Sequence, residues 1–465
     1  MNAKQLAKLG YSKGRPMDLA RAACVAAAGA GFKKSAIRHA LRELRDDPSR
    51  FKSDPEFGPL AVYMAAQAKP IRPYVPRGEA ATWHRWGDNL DANSIGQMER
   101  ACSLPVAVAG ALMPDAHMGY GLPIGGVLAV EDAVIPYAVG VDIACRMKMS
   151  VFDMPPSALD DRSEALIRAL EKETSFGVGC VFKNRRKHDV MDEDWSASSV
   201  TRDLKDKAWS QLGTSGSGNH FVEYGLLKIQ SDAMTLAPGS YLALLSHSGS
   251  RGVGARVCDH YSKLAMRMRP DLPKELRHLA WLDLKSQEGR EYWLAMQLMG
   301  RYAAANHELI HRHIARSLRV DVLMDIENHH NYAWKEEHFG RPVIVHRKGA
   351  TPAQKGAWGI IPGSMGTPGY VVAGKGEPLS MNSAAHGAGR LMSRTQARKK
   401  FTWSDALPLL KKKGVKLLSA GLDEVPMAYK DINEVMAAQQ DLVEILAAFH
   451  PRIVKMAPEG KPPKG

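Results

Sequence analysis

From residue 76 onward the chain is built of short apolar, β-like runs broken by glycine-rich loops, at 127–130, 241–245, 343–346 and 370–373 among others. Longer helical patterns intervene at roughly 290–318, 388–400 and 430–448. No fixed-period repeat is visible, and strands and helices do not alternate regularly enough for a doubly wound parallel sheet. The pattern therefore predicts one large α+β domain of mixed sheets with surrounding helices. A chain of 465 residues with 45% apolar and 24% charged side chains has enough core-forming residues for this. No apolar run reaches 18 residues, so no membrane span is expected.

Residues 1–70 read differently. "MDLARAACVAAA" is a good helix former that ends at Gly29 and Gly31. "KSAIRHALRELRDD" follows, with Ser35 as the expected N-cap and Ile37, Leu41 and Leu44 on one face. Pro70, Pro73 and Pro76 then mark an extended boundary, dividing a helical extension (1–70) from the main domain (71–465). The short link between the two helices permits a helix-turn-helix-like hairpin, but a plain helical extension is the expectation. The Ala-rich stretch lacks the features of a signal peptide.

Charge is uneven. Residues 1–75 carry 14 Lys and Arg against 6 Asp and Glu, a net +8 within a total of +14. A second basic cluster runs through "RTQARKK" and "LKKKGVK". Such an excess favours a polyanionic partner, most simply nucleic acid. Five scattered cysteines (24, 102, 145, 180 and 258) form no CxxC pair, which excludes a zinc ribbon and points to a reducing cytoplasm.

Seven loops hold the chemistry: "MPDAHMGYG" (113–121), "GTSGSGNHF" (213–221), "SHSGSRG" (246–252), "ENHHNY" (327–332), "HRKGATP" (346–352), "IIPGSMGTPGY" (360–370) and "AAHGAGR" (384–390). Six contain histidine, mostly beside Gly, Ser or Asn, where glycine signals close backbone approach. In "VGVDIACRM" (139–147), Asp142 and Cys145 are three apart and can converge on one point. A carboxylate and a thiolate with imidazoles suit a divalent Mn, Zn or Fe site. The alternative is a buried cysteine packing as a small hydrophobe while Asp142 caps a helix. "GSGN", "PGSMG" and "HGAGR" present successive backbone N–H groups that, with arginine, cradle phosphate oxygens. Metal, phosphate cradle and basic surface together imply metal-assisted phosphoryl chemistry on a nucleotide or nucleic acid, with hydrolase and ligase both open.

The ordered motifs "MPDAHMGYG", "VGVDIAC", "GNHFVE", "HSGSRG", "HHN", "HRKGAT", "PGSMG", "HGAGRLMSR" and "DEVPMAYKDINEVMAAQQDLVEI" resemble those of the RtcB-type RNA ligases over roughly residues 71–455. The resemblance implies an enzyme that joins RNA ending in a 2′,3′-cyclic phosphate or 3′-phosphate to RNA bearing a 5′-hydroxyl, using GTP and two Mn²⁺ ions (Zn²⁺ being compatible with the same donors). It implies metal ligation by Asp142, Cys145, His220, His247 and His330, with Cys145 bridging the two ions, and guanylylation of His386. It implies nucleotide contacts from Asn219, Glu223, Asn331, Pro362, Gly363, Ser364, Met365, Ala388, Gly389, Tyr429 and Lys455, and RNA-phosphate contacts from Arg251 and Arg390. A metal-dependent phosphoesterase or RNA end-processing paralogue without efficient ligation is the alternative, followed by a catalytically weak RNA-binding paralogue.

Three departures stand out. The family usually reads "VGVDIGCGM" where this chain has Ala144 and Arg146, and Arg146 is expected to alter RNA access or act on a substrate phosphate. Gly369 replaces a common serine that contacts the nucleotide. Ten residues follow Lys455, where family members often end.

Overall fold

The computed structural model describes residues 1–11, 14–67, 74–75 and 77–458. The chain divides into two compact units, Met1–Pro73 and Tyr74–Gly465. The proline-marked boundary at Pro70, Pro73 and Pro76 lies outside the described residues.

Helices Ala3–Lys8, Arg15–Gly29, Lys34–Asp46 and Gly58–Gln67 make the first unit. Alanines at 20, 23 and 27 line the buried face of the second helix, and Leu6, Ile37, Leu41, Leu44, Phe57 and Leu60 complete one small core. Tyr11 Oη is buried and donates to Leu41 O at 2.7 Å. Ser35 is not the N-cap expected from the sequence. Lys33 occupies that position without a side-chain cap bond, and the helix starts two residues earlier than a serine cap at 35 requires. Lys34, Arg38 and Arg42 recur every four residues and are exposed along one flank of the buried stripe of Ile37, Leu41 and Leu44.

The second unit is mixed α/β. Its large sheet runs in the order Trp358–Ile361, Gly369–Gly374, Val443–Met456, Phe221–Ile229, Gly239–Ser248, Arg146–Phe152 and Val322–His329, with Lys416–Ser419 joined to Val443–Met456. A five-stranded sheet orders Trp83–Arg85, Ala107–His117, Ile124–Val130, Arg341–Lys348 and Asn331–His338. The long helix Gln287–Leu318 buries Tyr292, Met299, Tyr302 and Leu309 in the main core. Among the described residues no helix is long and apolar enough to cross a membrane.

Two helical expectations change. The 388–400 pattern is helical only over Arg394–Lys400, because the segment before it is a loop that carries site residues. The 430–448 pattern ends as helix at Ala437, and the chain re-forms as the strand Val443–Met456. Ala, Glu and Leu there favour a helix locally, yet the strand pairs on both sides, with Gly369–Gly374 and Phe221–Ile229, and buries Leu446, Ala447 and Phe449. Tertiary pairing outweighs propensity. Pro451, which cannot donate to a ladder, sits at a register shift.

Candidate metal and nucleotide site

Strand register gathers the metal-type donors. Arg146 pairs across to Ser248 on one side and His329 on the other, and Phe221 pairs with His247. Residues just before or at these strand ends therefore meet at one edge: Cys145, His220, His247 and His330. The 141–145 turn is tight. Cys145 N donates to Asp142 O at 3.1 Å, and Ala144 N to Asn331 O at 2.7 Å. Ala144 takes φ +56°, a conformation natural to glycine and costly for alanine.

Two donor triads result, Asp142/Cys145/His220 and Cys145/His247/His330, with Cys145 common to both. Cys145 Sγ lies 3.1 Å from His247 Nε2 and 3.4 Å from His220 Nε2. His220 Nε2 is 2.9 Å from Asp142 Oδ2, and His247 Nε2 is 3.2 Å from His330 Nε2. Donors held at metal-bond lengths around one ion stand roughly 3–4 Å apart, so the set fits a bound divalent metal. Burial drives His247 down to about 3 and His330 well below its usual value, keeping both rings neutral as ligation requires. Burial pushes the Cys145 thiol well up, so a thiolate here needs a cation. Asp142 is held low against its burial by its bond to His220 and the nearby charge of Arg251.

The remaining ring nitrogens differ. His247 Nδ1 is 3.1 Å from Asn219 O, the usual outer hydrogen bond that orients a metal-binding histidine. His330 Nδ1 is buried without a partner. Arg251, itself buried at φ +58°, donates to His220 Nδ1 at 3.1 Å and to Gly249 O at 3.1 Å. Asp142 Oδ1 also accepts from Ser250 N at the start of helix Arg251–Met268, so helix capping and convergence on Cys145 are both present in one carboxylate.

These groups open onto a cavity of about 340 Å³. It is lined by Asp142, Cys145, Asn219, His220, Glu223, His247, His330, Asn331, Pro362, Gly363, Ser364, Met365, His386, Ala388, Gly389, Arg390 and Tyr429. His386 follows the short strand Ser383–Ala385, and its ring centroid lies 4.9 Å from that of His330. Asp115 Oδ2 accepts from His386 Nδ1 at 2.6 Å and from its backbone N at 3.2 Å. That bond fixes the hydrogen on Nδ1 and leaves the Nε2 lone pair free. Gly389 has φ +73°, and a Cβ there falls 2.1 Å from Asp115 O, so only glycine permits the loop to close on Asp115.

The phosphate-type loop 362–366 joins Trp358–Ile361 to Gly369–Gly374. Its Ser364 N–H is already bonded to Thr367 Oγ1 at 2.7 Å, so fewer of its amides are free than the sequence implies. Glu223 is buried, which raises its carboxyl well above the usual range. Asn331 donates to Asp142 O and accepts from Gly349 N, bracing the turn as it lines the cavity. Tyr429 Oη donates to Glu424, and Arg390 reaches Tyr429 Oη at 3.3 Å and Asp423 O at 2.6 Å.

Two predicted residues stand apart from the cavity wall. Arg251 lines a neighbouring cleft with Gly216, Ser217, Gly218 and Asn219. Lys455 lies off to one side, its Nζ 3.4 Å from Leu170 O and 5.9 Å from the Phe176 ring centre. Arg146 is also engaged elsewhere: it is buried and paired with Glu327, which draws its charge away from the substrate role expected from the sequence. Gly369 faces the backbone of Pro362, 3.2 Å from where a Cβ stands.

Sequence reasoning assigned no role to Asp115 or His117. Both lie in the "MPDAHMGYG" loop that it singled out, and the signal was the aspartate two residues before a histidine at a strand end. His117 lines the cavity, and burial lowers it to about 4.

A family model described as tRNA-splicing ligase RtcB matches residues 97–456. The chain is 33% identical over 380 residues to the RNA-splicing ligase RtcB of Escherichia coli (strain K12), covering 75% of this chain and 90% of that protein. It is 32% identical over 396 residues to the tRNA-splicing ligase RtcB of Nanoarchaeum equitans (strain Kin4-M), covering 70% and 83%. It is 32% identical over 410 residues to the RNA-splicing ligase RtcB of Mycobacterium bovis (strain ATCC BAA-935 / AF2122/97), covering 73% and 94%.

Proposed function

The chain belongs to the RtcB family, and on that premise we propose that it is an RNA ligase using GTP and Mn²⁺ to join 2′,3′-cyclic phosphate or 3′-phosphate ends to 5′-hydroxyl ends. The observation that carries the reading is the Asp115–His386 pair standing beside two donor triads that share Cys145. An imidazole with one nitrogen pinned and the other bare is what nucleophilic attack on phosphorus needs.

In this reading His386 Nε2 attacks the α-phosphorus of GTP. A P–N bond forms, the bond to the departing pyrophosphate breaks, and Asp115 balances the positive charge that develops on the ring. GMP then passes to an RNA 3′-phosphate, giving a 3′-pp-5′G end and freeing His386. The RNA 5′-hydroxyl attacks that end and GMP leaves. A cyclic end is first opened by water to the 3′-phosphate. Asp142, Cys145, His220, His247 and His330 would hold manganese, which when bound would supply positive charge to neutralise phosphate oxygens. The backbone N–H groups of Gly363 and Met365, with those of Ala388 and Gly389, would meet the nucleotide phosphates. Glu223 accepts from the guanine edge, where a donor stabilises its ionised form. Arg390, anchored by Asp423 and Glu424, and Arg251 meet RNA phosphates. The five free cysteines suit a reducing cytoplasm, in which Cys145 stays available.

The test is direct. Full-length protein incubated with GTP and Mn²⁺ gains the mass of one GMP, and labelled RNA fragments with 3′-phosphate and 5′-hydroxyl ends become joined. A manganese-loaded protein that shows neither overturns the reading, and end hydrolysis without an adduct favours a phosphoesterase.

A further inference from the structure

Tyr120 is 66% exposed, yet the loop that carries it is held firmly. Gln97 brackets Gly119, donating to its carbonyl at 2.5 Å and accepting from its N–H at 3.0 Å. The buried Lys348 amine donates to Tyr120 O at 2.5 Å and Leu122 O at 2.9 Å. Gly121 at φ +72° sits where a Cβ meets His278 O at 2.8 Å. Enclosing a lysine is costly, and an exposed phenol ring returns little burial energy. The arrangement therefore holds the backbone on both sides of Tyr120 while its ring stays exposed.

Tyr120 is not alone. Its ring centre lies 5.7 Å from that of His278 and 6.4 Å from that of Tyr137, and Tyr137 and His278 are 5.0 Å apart, near perpendicular at 75°. His278 is exposed and Tyr137 half-buried. The three rings are not part of the cavity wall, but the chain ties Tyr120 closely to it: His117, three residues before, and Ile124, four residues after, both line it.

We infer that Tyr120, backed by Tyr137 and His278, is a stacking ledge for a base of single-stranded RNA close to the reacting end. The inference rests on the ligase reading above and names a subsite of that same centre. A planar base takes an aromatic face regardless of its identity, whereas a protein partner needs a larger apolar surface than one ring. Lys263, near Tyr137, is paired with Asp259 at 2.9 Å, and burial lowers the Lys348 amine to about 7, so attraction at the ledge comes from stacking rather than charge.

The experiment uses full-length protein and an unreactive oligoribonucleotide with 2-aminopurine placed one to four nucleotides from either end. Binding quenches the probe at one position near an end. Tyr120→Leu removes that quenching and weakens binding by about 5- to 150-fold, the range for loss of one stacked base, while Tyr120→Phe retains both, since the ring and not the hydroxyl acts. Unchanged affinity and quenching in Tyr120→Leu overturns the ledge, as does equal loss in Tyr120→Phe. Near-ultraviolet circular dichroism confirms the fold of each variant. Because the oligonucleotide is unreactive, failure of the wild type to form a GMP adduct counts against the ligase reading and leaves the ledge result intact.

Discussion

Asp115 Oδ2 stands 2.6 Å from His386 Nδ1, and the two side chains reach that contact from positions 271 residues apart, one on the strand Ala107–His117 and the other just after the strand Ser383–Ala385. The carboxylate is fully buried, and its other oxygen has no protein partner. Lys430 Nζ, bridging Pro114 O and Ala116 O at 3.0 and 3.1 Å, places a cation nearby.

Asp115→Asn keeps the size of the side chain but loses the anion that selects the Nδ1–H tautomer. The rate of GMP adduct formation is expected to fall by about 10²-fold or more, as in other His–Asp pairs, with manganese content unchanged. A wild-type rate in this variant means that Asp115 does not position His386.

His386→Ala is expected to lose the adduct while keeping fold and bound manganese. In the wild type the adduct should be acid-labile and alkali-stable, as a phosphoramidate is. The variant should still join RNA whose 3′ end already carries GMP, because that substrate bypasses the first step. An adduct at wild-type level assigns the nucleophile to another residue.

Cys145→Ala removes the one atom common to both donor triads. Manganese content measured by elemental analysis should drop and joining should cease, since among the described residues Cys145 is the cysteine in both donor groups. Full metal content and activity would contradict ligation by Cys145.

His346 is buried away from the donor triads, with Nε2 accepting from Ile135 N at 2.9 Å, and burial lowers it to about 4. Its folded value lies below the unfolded 6.5, so the unfolded chain binds the extra proton first and stability is lost as pH falls from 6.5 toward 4. Between pH 6.5 and 5 this one group costs about 2 kcal/mol. Urea unfolding at those two pH values should show the loss, and His346→Gln should reduce it by about that amount.

Deleting residues 1–68 removes a unit with its own core and the exposed Lys34, Arg38 and Arg42. The remaining chain should stay folded and react with GTP but bind RNA more weakly, with the deficit largest at low salt. An insoluble product places these helices in the fold of the main unit.

Much of this protein was readable before any tertiary structure. The strands at 127–130, 241–245, 343–346 and 370–373 all lie within observed strands, because short apolar runs between glycine loops leave the backbone few alternatives. The loops holding His220, His247, His330 and His386 were also legible, since paired glycine and histidine at strand ends is a local pattern. The strand Val443–Met456 was not, because its composition is helical and only its two partner strands decide otherwise.

Sequence alone determined which side-chain types are present and where the chain turns: Asp142 three residues from Cys145, a basic first segment, and glycine where backbones approach. Tertiary structure alone decided which groups face one another. The register of Arg146 against Ser248 and His329 makes Cys145 common to two triads. The approach of the strands Ala107–His117 and Ser383–Ala385 puts Asp115 behind His386, and a nearby carboxylate, Glu327, takes Arg146 out of the site. The physical reason is range: propensity and turn chemistry act over a few residues, whereas a hydrogen bond between residues 115 and 386 depends on every strand packed between them.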